Sequence, residues 1–363
     1  MVKLLGEQGI KKESGQVLLR SKLRAVSRRM GFGNAVREKM ELVCNEMMSN
    51  QLKFAAGKGL MQLWAVEQPC LALDLFALDY GEGFNDLPQA LTDGYTTAGT
   101  MGKGLGAIRR LAHQSDFYSL AAGAVRDNPW HGMAVWARFY REGIPPASPY
   151  QIGCYLRAYH DDIHNGDAIW LNSVNGSLRW LHMDGLGHGK EAAEAVRGCN
   201  GILYSGNAVE ELLMHLSQRL KGGRGAVGML VEVDSHRRQV GISGVGDMSA
   251  FLIANGERTN IIFKPGILGH AHGRIERQTV SLPPQALLIT ASDGLRRSWN
   301  LRSFPGLWRL HPQLIALLLG AVAGRDNDDR SILALRITPD EVGSYGYRDA
   351  EQLRPSMRSW SST

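Results

Sequence analysis

The stretch SLRWLHMDGLGHGKEAA (residues 177–193) places Asp184 where an apolar, strand-like run meets a glycine-rich loop. Asp-Gly pairs alone are common turn signals. However, three more aspartates flank segments with the Ile, Leu, Val and Trp content of buried strands: Asp167, Asp293 and Asp328. Carboxylates gathered at one end of a sheet repel each other unless a cation neutralises them. The pattern therefore predicts an acidic, cation-binding edge of a β-sheet.

The residue types available as ligands narrow the choice of cation. The four cysteines are far apart and form no CxxC pair, which predicts reduced thiols and neither a disulfide framework nor a zinc site: Cys44, Cys70, Cys154 and Cys199. No Cys or His cluster accompanies the aspartates. Because oxygen ligands alone suit hard cations, we expect Mg²⁺ or Mn²⁺.

A proline-rich break divides the chain. Residues 141–153, REGIPPASPYQIG, combine three prolines with small residues, as linkers do. The length of 363 residues also favours two domains over one. We predict a first domain at 1–141, a linker at 142–152, a second domain at 153–338 and a polar, flexible tail at 339–363.

Charge and hydropathy limit the partners. No run approaches the roughly 18 apolar residues of a membrane span, and the N-terminus lacks the features of a signal peptide, so we expect a cytoplasmic protein without a membrane partner. The net charge is +6, and part of the excess lies between Arg20 and Lys39. This cluster is either a solvated helix face or a surface for nucleic acid or an acidic protein. No nucleic-acid motif accompanies it, so no nucleic-acid partner is expected.

A predicted helix in the first domain carries a polar stripe. Between residues 34 and 56 apolar residues recur at helical spacing. Glu46, Asn50 and Lys53 follow each other at intervals of four and three residues, which places them beside one another on the helix surface. Taken alone, such a stripe is typical of a solvated face.

Two glycine motifs follow that helix and change its interpretation. The run LALDLFALDYGEG is an apolar strand that ends in Asp79, with Gly81 and Gly83 behind it. Further along, Gly102, Gly104 and Gly106 open another predicted helix. Glycines allow the backbone to approach a ligand closely, and a helix N-terminus offers free N–H groups to phosphate. The order of these motifs indicates a nucleotide site.

The first half resembles the GHKL (Bergerat-fold) ATP-binding domains, and in particular the serine-protein kinases of the anti-sigma factor and stressosome switch type. The similarity covers about residues 15–140 and lies in GFGNAVREKMELVCNEMMSNQLKFA, DYGEGFNDLPQALTDGYTTAG and GKGLGAIRRLAHQSDFYS. It implies an α/β sandwich that binds ATP with Mg²⁺.

The resemblance also implies roles by position. Asn50 would hold the Mg²⁺, Glu46 would orient or deprotonate the accepting hydroxyl, and Asp79 would accept from the adenine amino group. The remaining implied nucleotide-binding residues are Lys53, Gly81, Gly83, Gly102, Lys103, Gly104 and Gly106. Phosphoryl transfer depends mainly on positioning and charge neutralisation, which this set supplies.

The second half resembles the metal-dependent Ser/Thr phosphatases (PPM type) of the SpoIIE subfamily. The similarity spans about residues 153–337 and is most specific in DGLGHGKEAAEAV and GGRGAVG, with support from KPGILGH. It implies an αββα sandwich with two Mn²⁺ or Mg²⁺ ions. Their ligands would be Asp167, Asp184, the carbonyl of Gly185, Asp293 and Asp328. Asp329 is an alternative to Asp328, and His188 is interpreted as packing the loop.

Together these features predict an α/β (α+β) protein with two opposed activities. The first hypothesis is a bacterial partner-switching regulator, whose kinase phosphorylates and whose phosphatase dephosphorylates a STAS-domain protein, either an anti-sigma antagonist or a stressosome component. A second hypothesis makes the first domain a nucleotide-dependent module that binds a sigma factor or another regulator without transferring phosphate. A third makes it an ATP-dependent gate for the phosphatase.

Overall fold

The computed structural model describes residues 2–55, 57–84, 87, 104–126, 128, 130–145, 147–174, 176–296 and 299–338. Within these ranges the chain is a mixed α/β protein with three five-stranded sheets. The predicted residues Gly102 and Lys103 and the predicted tail lie outside the described residues. None of the helices in these ranges has both the length and the apolar character needed to cross a membrane.

The first sheet is antiparallel and has the order β1-β2-β3-β5-β4. Its strands are β1 (Val2–Ile10), β2 (Gly59–Val66), β3 (Ala72–Leu78), β4 (Gln114–Leu120) and β5 (Gly132–Tyr140). In the part of this half that the structure describes, three helices accompany it: α1 (Glu13–Arg29), α2 (Asn34–Phe54) and α3 (Gly104–Leu111).

Helix α2 confirms the predicted periodicity. Its buried residues Met40, Val43 and Met47 belong to one cluster with apolar side chains of the sheet and with Ile108 of α3. The helices therefore cover one face of the sheet. The polar stripe lies on the side of α2 that this cluster leaves partly open.

The second half contains the other two sheets. One has the order β13-β10-β9-β8-β7, and the other β12-β11-β14-β15-β6. The first consists of β7 (Asp167–Val174), β8 (Ser177–Gly185), β9 (Ala226–Asp234), β10 (Gln239–Val245) and β13 (Gln278–Ser281). The second consists of β6 (Tyr150–Arg157), β11 (Ser249–Ala254), β12 (Glu257–Ile261), β14 (Leu287–Ala291) and β15 (Arg330–Ile337). The predicted linker therefore extends into β6, which begins at Tyr150.

These two sheets pack face to face with helices outside. Trp180 and Val231 of one sheet share a buried cluster with Leu288 and Leu333 of the other. The helices α4 (Lys190–Val196) and α5 (Val209–Arg219) accompany the outer face of the first sheet. Helix α6 (Pro312–Val322) packs on β6 and β15 of the second sheet. The arrangement is the αββα sandwich predicted from the sequence.

Helix α6 also contacts the N-terminal sheet. Leu314 and Leu318 belong to the same buried cluster as Trp64 and Trp136, which lie on the face opposite α1 and α2. Both faces of the N-terminal sheet are therefore covered, one by its own helices and one by the second half. This explains why all nine residues of β5 are buried.

A buried polar network crosses this junction. Arg138 forms two hydrogen bonds of 2.7 Å with the carboxylate of Asp74 and donates a third, of 3.1 Å, to Oε1 of Gln313. The same Gln313 amide binds the backbone N–H and carbonyl of Cys154. Each half thus satisfies buried polar groups of the other, which ties the two halves together.

Candidate metal centre and nucleotide site

Asp167 and Asp184 lie directly opposite each other on the neighbouring strands β7 and β8. Asp167 is 2% exposed, and its Oδ2 accepts a hydrogen bond of 2.7 Å from Ser292 Oγ. Its Oδ1 is buried and has no hydrogen-bond partner. A buried carboxylate oxygen without a partner is costly, so a cation at this point would relieve a real deficit.

The electrostatics of the pair show that negative charge is concentrated here. Burial raises the pKa of Asp167 to about 7, against the opposing hydrogen bonds from Ser292 and Ser331. The pKa of Asp184 is raised to about 10, first by burial and then by repulsion. The repelling carboxylates are Asp167, Asp293, Asp328 and Asp247. A divalent ion would reverse this balance, because it favours the charged forms.

The other two predicted ligands also lie at strand ends. Asp293 comes two residues after β14, and Asp328 two residues before β15. Burial raises the pKa of Asp328. Arg325 lies 3.8 Å from Asp293. Because β14 and β15 are paired, the two aspartates come from adjacent strands of the second sheet, whereas Asp167 and Asp184 come from the first.

The carboxylates form one electrostatic cluster without a closed ligand cage. Across the described part of the chain, no three His, Cys, Asp or Glu side chains stand close enough together to hold an ion. Binding therefore requires these side chains to turn toward a common point. The Oδ1 atom of Asp167 is ready for this, because it has no hydrogen bond to break.

Asp329 has a different role from its neighbour Asp328. Its two oxygens accept hydrogen bonds of 2.7 Å from the backbone N–H groups of Tyr159 and Gly166. Its carboxylate is therefore already occupied by the protein backbone. This geometry favours Asp328 over Asp329 as the ligand, which the sequence left open.

The loop after Asp184 needs its glycines for steric reasons. A side-chain carbon at Gly185 would lie 2.4 Å from the carbonyl oxygen of Ala192. Gly187 and Gly189 have φ angles of 82° and 77°, in the left-handed region that favours glycine. The ring of His188 packs 4.8 Å from that of Tyr159, in line with the packing role predicted for it.

In the first half, α2 brings Glu46 and Asn50 to the start of α3. A side-chain carbon at Gly104 would lie 2.9 Å from Glu46 Oε2 and 3.6 Å from the Asn50 amide. Lys53 is exposed, and Gly106 is buried within α3. Helix α3, which follows the predicted phosphate loop in the sequence, thus begins next to the two polar side chains of α2.

Asp79 is held at the end of β3 by backbone groups. Its Oδ1 accepts hydrogen bonds from the N–H groups of Gly81 and Met133, at 2.9 and 3.1 Å. Burial raises its pKa. Because both bonds go to Oδ1, Oδ2 can accept from the amino group of a ligand.

Close backbone packing explains the two glycines behind Asp79. Side-chain carbons at Gly81 and Gly83 would lie 2.3 Å from the carbonyl oxygens of Phe54 and Leu120 respectively. Both positions therefore exclude any larger residue.

Several supporting residues escaped the sequence analysis. Ser292 and Ser331 hold Asp167, and each lies beside a predicted ligand motif, in ASDG and DDRS. Trp130 donates its indole N–H to the carbonyl of Asp79 at 2.9 Å. The two serines could have been found from the sequence, because each stands beside an acidic motif. No sequence feature pointed to Trp130.

Comparison with known proteins finds relatives for both halves of the chain. Residues 175–338 match the family Stage II sporulation protein E (SpoIIE). In the N-terminal part, the serine/threonine-protein kinase RsbT of Bacillus subtilis is 29% identical over 99 residues, which are 27% of this chain and 74% of RsbT.

Two solved structures cover the same share of the chain. One comes from work on the bacterial stressosome as a modular system adapted to control secondary messenger signaling. It is 27% identical, with a TM-score of 0.47, and the match covers 52% of this chain and 99% of that one. RsbX in complex with magnesium is 21% identical, with a TM-score of 0.47, over 52% of this chain and 96% of its own. The chain therefore joins an N-terminal part similar to the kinase RsbT to a SpoIIE-type segment at residues 175–338.

Proposed function

We propose that residues 153–338 act as a metal-dependent protein serine/threonine phosphatase. The observation that carries this proposal is the pairing of Asp167 with Asp184, in which a buried carboxylate oxygen lacks a partner and the pKa of Asp184 is raised to about 10. Two Mn²⁺ or Mg²⁺ ions would be held by Asp167, Asp184, the carbonyl of Gly185, Asp293 and Asp328. When bound, such ions supply an activated water and hold the phosphoryl group for in-line attack.

The protein's own residues would prepare this site. Ser292 fixes the orientation of Asp167, so that Oδ1 is left for the ion. Asp329 holds the backbone that leads into Asp167, at Tyr159 and Gly166. The glycine loop after Asp184 brings a helix close to the ligands. These contacts reduce the reorganisation that ion binding requires.

We propose that the N-terminal part binds ATP with Mg²⁺ and phosphorylates serine or threonine. Asn50 would hold the Mg²⁺, Glu46 would orient the accepting hydroxyl, and Asp79 would accept from adenine. The phosphates would lie against Lys53, Gly102, Lys103, Gly104 and Gly106. The position of Gly104 close to the side chains of Glu46 and Asn50 supports this assignment.

The two activities together would form a cytoplasmic partner switch. The shared substrate would be a STAS-domain protein, phosphorylated by one half and dephosphorylated by the other, with a sigma-factor regulator as a further partner. The test incubates the full chain with Mg-ATP and the STAS-domain proteins of the same genome, and then adds Mn²⁺. Phosphate should first appear on one STAS-domain protein and then be released. If no phosphate moves in either direction, the proposal fails.

One observation favours a second function for the N-terminal part, namely gating of the phosphatase by ATP. Trp130 binds the carbonyl of Asp79, and the nearby Asn128 side chain donates to the carbonyl of Ser303 in the second half. Asp79, the proposed adenine-binding residue, is therefore only a few contacts away from Ser303 of the second half. The rate of phosphatase turnover with and without ATP, measured in Glu46→Gln, separates gating from phosphate transfer.

A further inference from the structure

The loop between β6 and β7, residues 158–166, lies at the edge of the acidic centre, and we call it the rim loop. It leads directly into Asp167. Both oxygens of Asp329 bind it, one at Tyr159 N and the other at Gly166 N. Asp329, the neighbour of the proposed ligand Asp328, therefore holds both ends of the rim loop.

The rim loop also packs beside the glycine loop that follows Asp184. The rings of Tyr159 and His188 are 4.8 Å apart. Gly185 N donates to Gly166 O at 3.0 Å. A side-chain carbon at Gly189 would lie 3.8 Å from Asp162 Oδ2. The rim loop thus forms one wall of the approach to the acidic centre.

The tip of this wall presents an isoleucine to solvent. Ile163 is 92% exposed, more than any other large apolar side chain in the described ranges. The tip itself is ordered by Asp162, whose Oδ1 accepts from His164 N at 3.0 Å. An exposed apolar side chain on a preformed loop is suited to bind an apolar surface, because little conformational entropy is lost on contact.

We infer that Ile163 is the anchor by which the rim loop binds the phosphoprotein substrate. This inference rests on the proposed phosphatase activity and names the element that selects a folded protein over a small phosphate ester. Ile163 would contact the apolar surface of the substrate protein next to its phosphorylated serine or threonine. A small ester should reach the carboxylates without contact with the tip, whereas a folded protein should contact it.

The test compares Ile163→Ala and Ile163→Asp with the matched control Ile262→Asp. Ile262 is also exposed, at 78%, but it directly follows β12 on the edge of the other sheet. The full-length proteins are assayed with Mn²⁺ on p-nitrophenyl phosphate and on a phosphorylated STAS-domain protein from the same genome. We expect both Ile163 variants to lower kcat/KM on the phosphoprotein about tenfold, mainly through KM. Turnover of p-nitrophenyl phosphate should be unchanged, and Ile262→Asp should match the unsubstituted protein on both substrates.

Binding provides a second readout. In the Asp184→Asn background, which should not turn over the substrate, Ile163→Ala should raise the Kd for the phosphoprotein by a similar factor. Unchanged phosphoprotein kinetics and Kd would overturn the inference, as would an equal loss on both substrates, which would indicate a structural effect. Failure of the proposed function looks different, because the unsubstituted protein would then release phosphate from neither substrate.

Discussion

Asp167 faces Asp184 across two hydrogen-bonded strands, so the protein places two carboxylates side by side in a largely buried position. Such a pair costs folding free energy unless a cation or protons neutralise it. The strands themselves enforce the proximity, because the register of β7 and β8 is continuous from Asp167 to Val174.

Replacing Asp184 with Asn should therefore lower the phosphatase activity without lowering the stability of the metal-free protein. The metal-free variant should unfold at the same temperature as the unsubstituted protein or higher, because folding with Asp184 costs either a buried charge or the uptake of a proton, and Asn costs neither. Phosphatase turnover should fall at least 100-fold, and the stabilisation that Mn²⁺ should give the unsubstituted protein in thermal unfolding should largely disappear. Asp326→Asn serves as the control, since Asp326 is 90% exposed. A variant that keeps both turnover and the Mn²⁺ shift would exclude Asp184 as a ligand.

Substitution of Asp329 should mainly lower the stability, whereas substitution of the adjacent Asp328 should mainly lower the activity. Asp329→Ala leaves the N–H groups of Tyr159 and Gly166 without acceptors, so the unfolding free energy should fall by about 2–4 kcal/mol. Asp328→Ala should change stability little and abolish turnover. Denaturant unfolding and phosphatase assays on both variants check this. The assignment is reversed if Asp328→Ala is the destabilised one.

The junction between the halves should be needed for stability. Gln313→Leu keeps the approximate volume but removes the hydrogen bonds to Arg138 and to both backbone groups of Cys154. We expect a loss of about 2–4 kcal/mol in urea unfolding. Gln218→Leu, on the exposed side of α5, is the control and should change stability by less than about 0.5 kcal/mol. Equal free energies of unfolding for the two variants would mean that the network makes no net contribution to stability.

The same junction should be sensitive to acid through His311. Burial, together with Arg138 and Arg336, holds the pKa of His311 well below its usual range, so the folded protein keeps the ring neutral. In the unfolded chain the ring takes up a proton below about pH 6.5. Unfolding free energy should therefore fall with decreasing pH from about 6.5, by up to about 1.4 kcal/mol per pH unit until the folded pKa is reached.

The matched variant for this prediction is His311→Asn. Its amide oxygen can replace Nδ1 as the acceptor for Gln313 N, but it does not titrate. The stability difference between the two proteins should shrink or change sign as the pH falls below about 6.5. A difference that stays constant between pH 7 and pH 5 would contradict the prediction.

Gly104→Ala should impair the nucleotide site without unfolding the protein. The added carbon would meet Glu46 Oε2 at 2.9 Å, and this flexible carboxylate can move aside at little cost. Its displacement should abolish phosphate transfer and weaken ATP binding about tenfold, as measured by titration calorimetry. Gly206→Ala is the control, since nothing lies within 4 Å of the added carbon. Normal phosphate transfer by Gly104→Ala would argue against the proposed role of Glu46.

The sequence by itself determined the local elements of this protein and the order of its motifs. The spacing of the apolar residues in α2 follows the helical period of 3.6 residues. The strand patterns that end at the aspartates of β8 and β14 follow the strand period of 2 residues. Neighbouring residues set both periods. Only the tertiary structure decided that the carboxylate of Asp329 binds the backbone N–H groups of Tyr159 and Gly166. Nor could the run GMAVWARFY (β5) show that α6 covers its second face. The network joining Arg138 to Gln313 links residues 175 positions apart, and no local pattern encodes such a contact.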